Sequence, residues 1–290
     1  MSNLITVARV QQYRANVEIK FQRQGSLLRN AVRFAEVKAK YHFWELLAQT
    51  AAVKKTTRHG ATILVNSQHQ RRRSEFSDYE WADLIDSEDK LRMLIDPESD
   101  YVTNAAYAMG RALDQEIIDA FSATAYEGET GSTSTAWTSD APGENTIADG
   151  GTGLTVGKLR TAMQALDSSN VPMSDRFIVI SPIGKQDLLE DAQVTSSDFN
   201  TVKALVNGEI NTYMGFTFIT HTGLTIASNI RSCWAWHKSA MGVHTPNELS
   251  VDIGPRRDLS NSTQVLVKGS YGAVRIQGPG VVQIDIDETA

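Results

Sequence analysis

Three consecutive arginines, Arg71, Arg72 and Arg73, stand directly ahead of the acidic segment "SEFSDYEWADLIDSEDKL". Guanidinium groups bind phosphate or carboxylate, since both anions accept paired hydrogen bonds. The nearest aromatic residues fall inside the acidic run, which would repel phosphate, so the cluster is a poor nucleic-acid site. The alternative is that the arginines contact an acidic surface on another copy of the chain. The candidate acidic residues are Asp83, Asp86, Glu88 and Asp89.

Other residues offer little for catalysis or metal binding. The single cysteine, Cys233, lies four residues before His237, but nothing in the sequence indicates the lowered thiol pKa that a nucleophile needs. The six histidines lack metal-ligand spacing. The segment "GGTGLTVGKL" fails as a phosphate loop because Thr152 and Leu159 occupy required positions. We predict no enzyme activity, metal or cofactor; the alternative is a hydrolase that uses Cys233 or an unrecognised carboxylate.

The composition is that of an ordinary soluble, folded chain. It has 290 residues, 41% of them hydrophobic, and no run near the roughly 18 apolar residues of a membrane helix. The N-terminus lacks the apolar core of a signal peptide. These features predict one or two domains, no membrane association and a location in the cytosol where the chain is made.

The two parts of the chain carry opposite charge. Residues 1–75 contain 14 Lys/Arg and 4 Asp/Glu, whereas the remainder contains 14 Lys/Arg and 30 Asp/Glu. A basic segment on an acidic body can condense DNA, with a steep salt dependence, or it can bind the acidic body of another copy. Charge alone leaves both alternatives open.

Three stretches decide the predicted architecture. Within residues 6–50, Leu27, Leu28, Ala31, Phe34 and Ala35 recur at helical spacing and predict a helix that lies against a partner. From 51 to 91, short extended runs such as "ATILVN" predict a projecting hairpin. Residues 126–153, rich in Gly, Ser and Thr, predict an exposed loop or hairpin.

The segment "DPESDYVTNAAYAMGRALDQEIIDAF" predicts a helix of about 25 residues, capped by Asp96 with Pro97 in its first turn. Its apolar residues recur at three- and four-residue steps. The predicted core positions are Val102, Met109, Leu113 and Ile117. Asp114 and Glu116 are interpreted as surface or partner contacts. Later segments such as "RFIVISP" and "SCWAWH" read as strands, and together these elements predict an α+β fold.

The order of these features resembles the major capsid proteins of tailed bacteriophages along nearly the whole chain. The acidic approach to the long helix, "IDSEDKLRMLIDPESDYVTNAAYAMGRALD", looks like that of the family. The passage "VPMSDRFIVISPIGKQDLLED" and the strand pair "LVNGEINTYMGFTFITHTGL" are also similar to family patterns. Each motif is loose alone, but their order and spacing make the resemblance specific.

The resemblance implies the α+β tailed-phage capsid fold. It assigns 1–50 to an N-terminal arm, 51–95 to an extended hairpin called the E-loop, and 96–169 to a peripheral domain with a spine helix and the variable loop 126–153. Residues 170–250 would form an axial domain, and 251–290 would return to the peripheral domain.

The resemblance also implies a function and a set of partners. The chain would assemble through pentamers and hexamers into an icosahedral shell around phage DNA, rather than act as a nucleic-acid-binding protein. A separate scaffolding protein, a portal and non-specifically bound double-stranded DNA would be its partners. Assembly would occur in the host bacterial cytoplasm, and the product would be the virion capsid.

Overall fold

A computed structural model of the chain describes residues 22–85, 98–141, 145–190, 212–246 and 249–289. Its helices are α1 (Glu98–Ser122), α2 (Trp137–Asp140), α3 (Val156–Ser168) and α4 (Pro182–Glu190). Short 3-10 turns occur at Arg29–Ala31, Lys238–Ala240 and Gly278–Gly280. The strands are β1 (Arg33–Glu36), β2 (Tyr41–Leu47), β3 (His69–Glu75), β4 (Ser77–Ile85), β5 (Ala125–Glu127), β6 (Thr133–Thr135), β7 (Thr146–Ile147), β8 (Arg176–Ile180), β9 (Thr212–Tyr213), β10 (Phe216–Thr220), β11 (Ile226–Ala227), β12 (Ile230–His237), β13 (Met241–Thr245), β14 (Ser250–Arg256), β15 (Ser262–Arg275) and β16 (Val281–Asp287).

The chain divides into two compact units. The described parts of the first unit are 22–26, 78–85, 98–112 and 249–269. The second unit contains 27–77, 113–141, 145–190, 212–246 and 270–289.

The first unit has a small core between a helix and strands. Ala105 and Met109, four residues apart on one face of α1, pack with Val267 of β15. Tyr79 and Trp81 alternate along β4 and pack against the same cluster. A Cβ atom at Gly110 would collide with the backbone of Gly25, so glycine at this position lets the chain cross the helix closely.

The second unit is built on a seven-stranded sheet in the order β7-β16-β12-β8-β10-β9, with β11 paired to β12. Strand β8 is parallel to β10 and antiparallel to β12. The sequence of β8, "RFIVI", is almost continuously apolar, as is typical of a strand buried on both faces, and its successive residues Ile178, Val179 and Ile180 are fully buried. Helix α3 begins after Thr155, whose hydroxyl accepts a hydrogen bond from the Lys158 amide.

Two further sets of strands complete the second unit. Strands β2 and β3 form an antiparallel hairpin within the sheet β2-β3-β5-β6, and residues 48–68 join them. Strand β13 pairs with β1 on one side and with the last residues of β15 on the other. Trp44 of β2 packs with Ala125, Val274 and Ile276, which fixes the base of the hairpin on an apolar cluster.

The predicted long helix is confirmed as α1, which has 25 residues. Asp96 and Pro97, its predicted cap, lie outside the described residues. The predicted helix through Leu27–Ala35 is wrong: a 3-10 turn is followed at once by β1. The helical spacing gave a wrong prediction because Phe34 and Ala35 pair with Val243 and His244 of β13, a strand about 200 residues away in the sequence.

The hairpin is also displaced from its predicted position. Its strands are Tyr41–Leu47 and His69–Glu75, whereas the run "ATILVN" at 61–66 forms no strand. The run has extended-strand composition, but no strand of this chain pairs with it within the described ranges. The prediction of an exposed loop or hairpin at 126–153 is right in part, because β5 and β6 pair as an antiparallel hairpin. The described residues of this segment also contain α2 and β7, and Trp137 of α2 is buried.

Candidate inter-subunit surface

The three arginines lie on β3, where successive side chains point to opposite faces. Arg72 points inward, with a side chain only 10% exposed. Its Nη2 lies 2.5 Å from Asp140 Oδ1 and 3.4 Å from Glu127 Oε2. This side chain is therefore engaged within its own chain, which removes Arg72 from the predicted contact surface.

Asp140 also binds a second buried arginine. Arg275 Nε donates to Asp140 Oδ2 at 2.7 Å, and its Nη1 donates to the carbonyl oxygens of Phe121 and Ala123. Burial lowers the pKa of Arg275, and the hydrogen bond to Asp140 opposes that shift. One carboxylate thus holds two guanidinium groups from distant parts of the sequence.

Arg71 and Arg73 occupy the outward face of β3. Arg71 Nη2 lies 3.4 Å from Glu45 Oε1, and the two side chains are 40% and 70% exposed. An exposed ion pair of this kind holds its members weakly, so Arg71 remains accessible to another partner. The Arg73 guanidinium lies over the rings of Tyr41 and Tyr126, at 4.8 Å and 5.0 Å from their centroids.

We name residues 48–68 the hairpin loop. From residue 49 onward every side chain in it is exposed. Ile63, Leu64 and Val65 are exposed by 63%, 83% and 45%, so three adjacent apolar side chains are open to solvent. The hairpin loop also carries three basic residues, Lys54, Lys55 and Arg58, and no acidic residue. Apolar side chains grouped on a surface in this way are typical of protein contact sites.

The acidic candidates are only partly described. Asp83 lies exposed on β4, where its Oδ1 accepts a hydrogen bond from the Leu84 amide at 2.8 Å. Glu80, also exposed, stands on the same strand. Asp86, Glu88 and Asp89 lie outside the described residues.

The predicted core positions on α1 separate into two groups. Met109, Leu113 and Ile117 are at most 6% exposed, whereas Val102 is only half-buried. The interpretation of Asp114 as a surface residue is wrong, because its carboxylate is fully buried. It accepts hydrogen bonds from the amides of Leu27 and Leu28, both at 3.1 Å. A carboxylate that fixes an approaching backbone segment has no local signature, so helical periodicity alone missed this role.

The alternative of a cysteine hydrolase finds no support in the geometry. Cys233 is fully buried, and burial raises the pKa of its thiol to about 12, so the thiol stays protonated at neutral pH. His237 is engaged with Ser239. Across the ranges that the structure covers, no cluster of three or more His, Cys, Asp or Glu side chains could hold a metal ion. Within the same ranges, no helix has both the length and the apolar character needed to cross a membrane.

Comparison with known proteins identifies the fold. Among solved structures, one from Mycobacterium phage Che8 has 16% sequence identity and a TM-score of 0.70, with 97% of each chain covered. The capsid of cyanophage P-SCSP1u has 16% identity and a TM-score of 0.71, covering 97% of this chain and 93% of that chain. The capsid asymmetric unit of cyanophage Pam1 has 11% identity and a TM-score of 0.71, with 98% and 97% covered. No curated protein sequence matches this chain.

At these identities the solved structures show the fold and carry no argument about individual residues. They confirm the predicted α+β capsid fold over nearly the whole chain. Family membership rests on a separate observation, since the sequence matches phage capsid proteins over residues 5–288. The chain therefore belongs to the phage capsid protein family.

Proposed function

We propose that each copy of this protein contacts its neighbours through the hairpin loop and the outward arginines of β3. As a phage capsid protein, it is a structural component of the icosahedral shell rather than an enzyme, and it builds that shell by self-association. The observation that carries the contact proposal is the uncovered apolar run Ile63–Val65 at the end of a hairpin whose base is firmly packed.

The charges favour an acidic partner surface. The hairpin loop has only basic charges, and Arg71 adds another beside it. Glu80 and Asp83 on β4 are exposed on every copy, so the complementary surface is present wherever the protein assembles. Arg73 shares the outward face and is proposed as a weaker contact. The same role for Asp86, Glu88 and Asp89 stays a prediction.

The remaining partners are also proposals. The family resemblance supports pentamers and hexamers as the assembly units, a separate scaffolding protein, a portal, and assembly in the host bacterial cytoplasm. The excess of basic residues in 1–75 supports non-specific contact with packaged double-stranded DNA.

A charge reversal in the hairpin loop tests the contact. The variant Lys54→Glu, Lys55→Glu, Arg58→Glu should fold but fail to form shells, because like charges then meet at a repeated interface. The matched control Lys54→Arg, Lys55→Arg, Arg58→Lys keeps the charge and should assemble. Negative-stain electron microscopy gives the readout, and circular dichroism checks folding.

A second reversal distinguishes the partner. Adding Glu80→Lys and Asp83→Lys to the reversed loop should restore shells if β4 is the acidic surface. Normal empty shells from the reversed loop alone would contradict the subunit contact. If those shells then filled poorly with DNA, we would conclude that the basic residues of the hairpin loop contact the packaged DNA instead.

A further inference from the structure

A buried histidine lies where the β2–β3 hairpin joins the rest of its unit. His244, on β13, is fully buried. Its Nδ1 is 3.0 Å from Ser74 Oγ on β3 and 2.9 Å from the Gly272 carbonyl oxygen on β15. A Cβ atom at position 272 would overlap the imidazole, so glycine is required for this approach. The ring therefore bridges the hairpin and the strands beneath it.

The hydrogen bonds define one tautomer of His244. A carbonyl oxygen can only accept, so Nδ1 carries the hydrogen that is donated to Gly272. Nε2 then holds the lone pair, and it is buried with no hydrogen-bond partner among the described residues. A second proton would place a new N–H group there without an acceptor, and such a group is costly when buried. The site accommodates the neutral imidazole and opposes the cation.

Among the described residues, the side chains in contact with the His244 ring are aromatic or carry a hydroxyl, and none is negatively charged. His42 of β2 lies 5.6 Å away between ring centroids, and Phe76 packs on the imidazole at 4.2 Å. From β1, Arg33 lies over the ring of Trp44, which is itself in edge contact with His42. From β3, Ser74 faces the ring with a neutral hydroxyl.

These effects move the pKa values of both histidines in the same direction. Burial lowers the pKa of His244 to about 4, and the neighbouring His42 adds to the shift while the Gly272 carbonyl opposes it. Burial also lowers the pKa of His42, with a further contribution from Arg33. Protonation of either ring is thus disfavoured while the hairpin is closed.

We propose that His244 and His42 form an acid-sensitive lock that holds the base of the β2–β3 hairpin closed while both imidazoles are neutral. The lock is a property of the single subunit and goes beyond the shell-forming role. Acid opens it, because the separated strands expose both rings to water and let them take up protons. The hairpin loop, which the proposed contact uses, is then released from a fixed base.

The sign of the pH dependence follows from linkage. A histidine has an ordinary pKa of about 6.5, and the closed state lowers that of His244 to about 4. The closed state is therefore fully favoured above about pH 6.5 and loses its advantage as the pH falls toward 4. Within this window one proton shifts the opening equilibrium about tenfold per pH unit, and protonation of His42 acts in the same direction.

Histidine-ring NMR on the full-length, unassembled subunit tests the lock directly. The ring signal of His42 is assigned from the variant His42→Gln, and that of His244 from its through-space contact with the Phe76 ring in the wild-type protein. The signal of His244 in the wild-type protein should titrate below about pH 5. A midpoint near 6.5 would overturn the proposal. This measurement needs no shell and is independent of the proposed inter-subunit contact.

Amide hydrogen exchange in β2 and β3, corrected for intrinsic rates, supplies the second readout. Protection in the wild-type subunit should fall about tenfold per pH unit between pH 6.5 and 4.5. His244→Gln should flatten that dependence, and His69→Gln, an exposed change on the same hairpin, should keep the wild-type slope. Equal slopes for the wild type and His244→Gln would contradict the lock. If His244→Gln fails to fold, the wild-type NMR midpoint decides.

Discussion

The two ends of the β2–β3 hairpin differ in how much of their surface is buried within the subunit. At its base, Trp44 packs in an apolar cluster and Arg72 binds Asp140 with little access to water. In the hairpin loop, by contrast, the side chain of Leu64 is 83% exposed. The base is specified by contacts within the subunit, whereas the loop is proposed to contact neighbouring subunits. Substitutions at the base should therefore change stability, and substitutions in the loop should change assembly.

The largest loss of stability is expected at Asp140. Asp140→Ala would leave the guanidinium groups of Arg72 and Arg275 buried without their shared carboxylate, which costs about 3–5 kcal/mol of unfolding free energy. Chemical denaturation of the subunit measures the change. Asp258→Ala is the matched control, since it removes an exposed partner of Arg256 and should have little effect. Equal stability of the two variants would show that the buried network does not hold the base.

A somewhat smaller loss is expected in the apolar cluster of the base. Ile276 is fully buried beside Trp44, so Ile276→Ala should lower the unfolding free energy by about 2–5 kcal/mol. Ile226→Ala, at an exposed position on β11, serves as the control. Denaturation curves that coincide with the wild type would mean that the cluster is less tightly packed than the structure indicates.

Arg71 tests the boundary between the two regions. Its ion pair with Glu45 is exposed, so Arg71→Ala should change the unfolding free energy by only about 0–1 kcal/mol. Shell yield, measured by sedimentation, should fall by more than this stability change explains. If Arg71→Ala were as unstable as Asp140→Ala, Arg71 would belong to the packed base of the hairpin and not to its accessible surface.

The smallest change in stability is expected in the hairpin loop. Leu64→Asp should leave the unfolding free energy of the subunit within about 0.5 kcal/mol of the wild type, because the side chain is 83% exposed and has little burial to lose. It should nevertheless prevent shell formation, which Leu64→Met should permit. Shells formed normally by Leu64→Asp would remove the apolar run from the proposed contact.

The sequence predicts those elements whose pattern is local. Helix α1 was recoverable because Ala105, Met109, Leu113 and Ile117 repeat at its own period, and β8 because five residues were almost all apolar. The structure of Leu27–Ala35 could not be predicted in this way, because β1 forms by pairing with a strand that is distant in the sequence. Family resemblance supplied the overall fold that these local patterns could not assemble.

The candidate surface was predicted less well, for a related reason. In the sequence the three arginines form a single cluster. In the structure, the alternation of side chains along β3 turns Arg72 inward and its two neighbours outward. The partner of Arg72 lies 68 residues away, and that partner's second arginine lies 135 residues from it. No local pattern links positions 72, 140 and 275, so only the fold reveals that they act together.

That shared carboxylate also limits how this protein can change over evolutionary time. If Asp140 is lost first, two buried cations lose their shared partner; if either arginine is lost first, the buried carboxylate loses one of its two ion pairs and the packing of that side chain. A descendant that replaced all three residues with well-packed apolar ones could be equally stable, but every single step toward it passes through a weakened intermediate. Related capsid sequences should therefore keep or exchange positions 72, 140 and 275 as a set, so their covariation can be sought in related phage genomes.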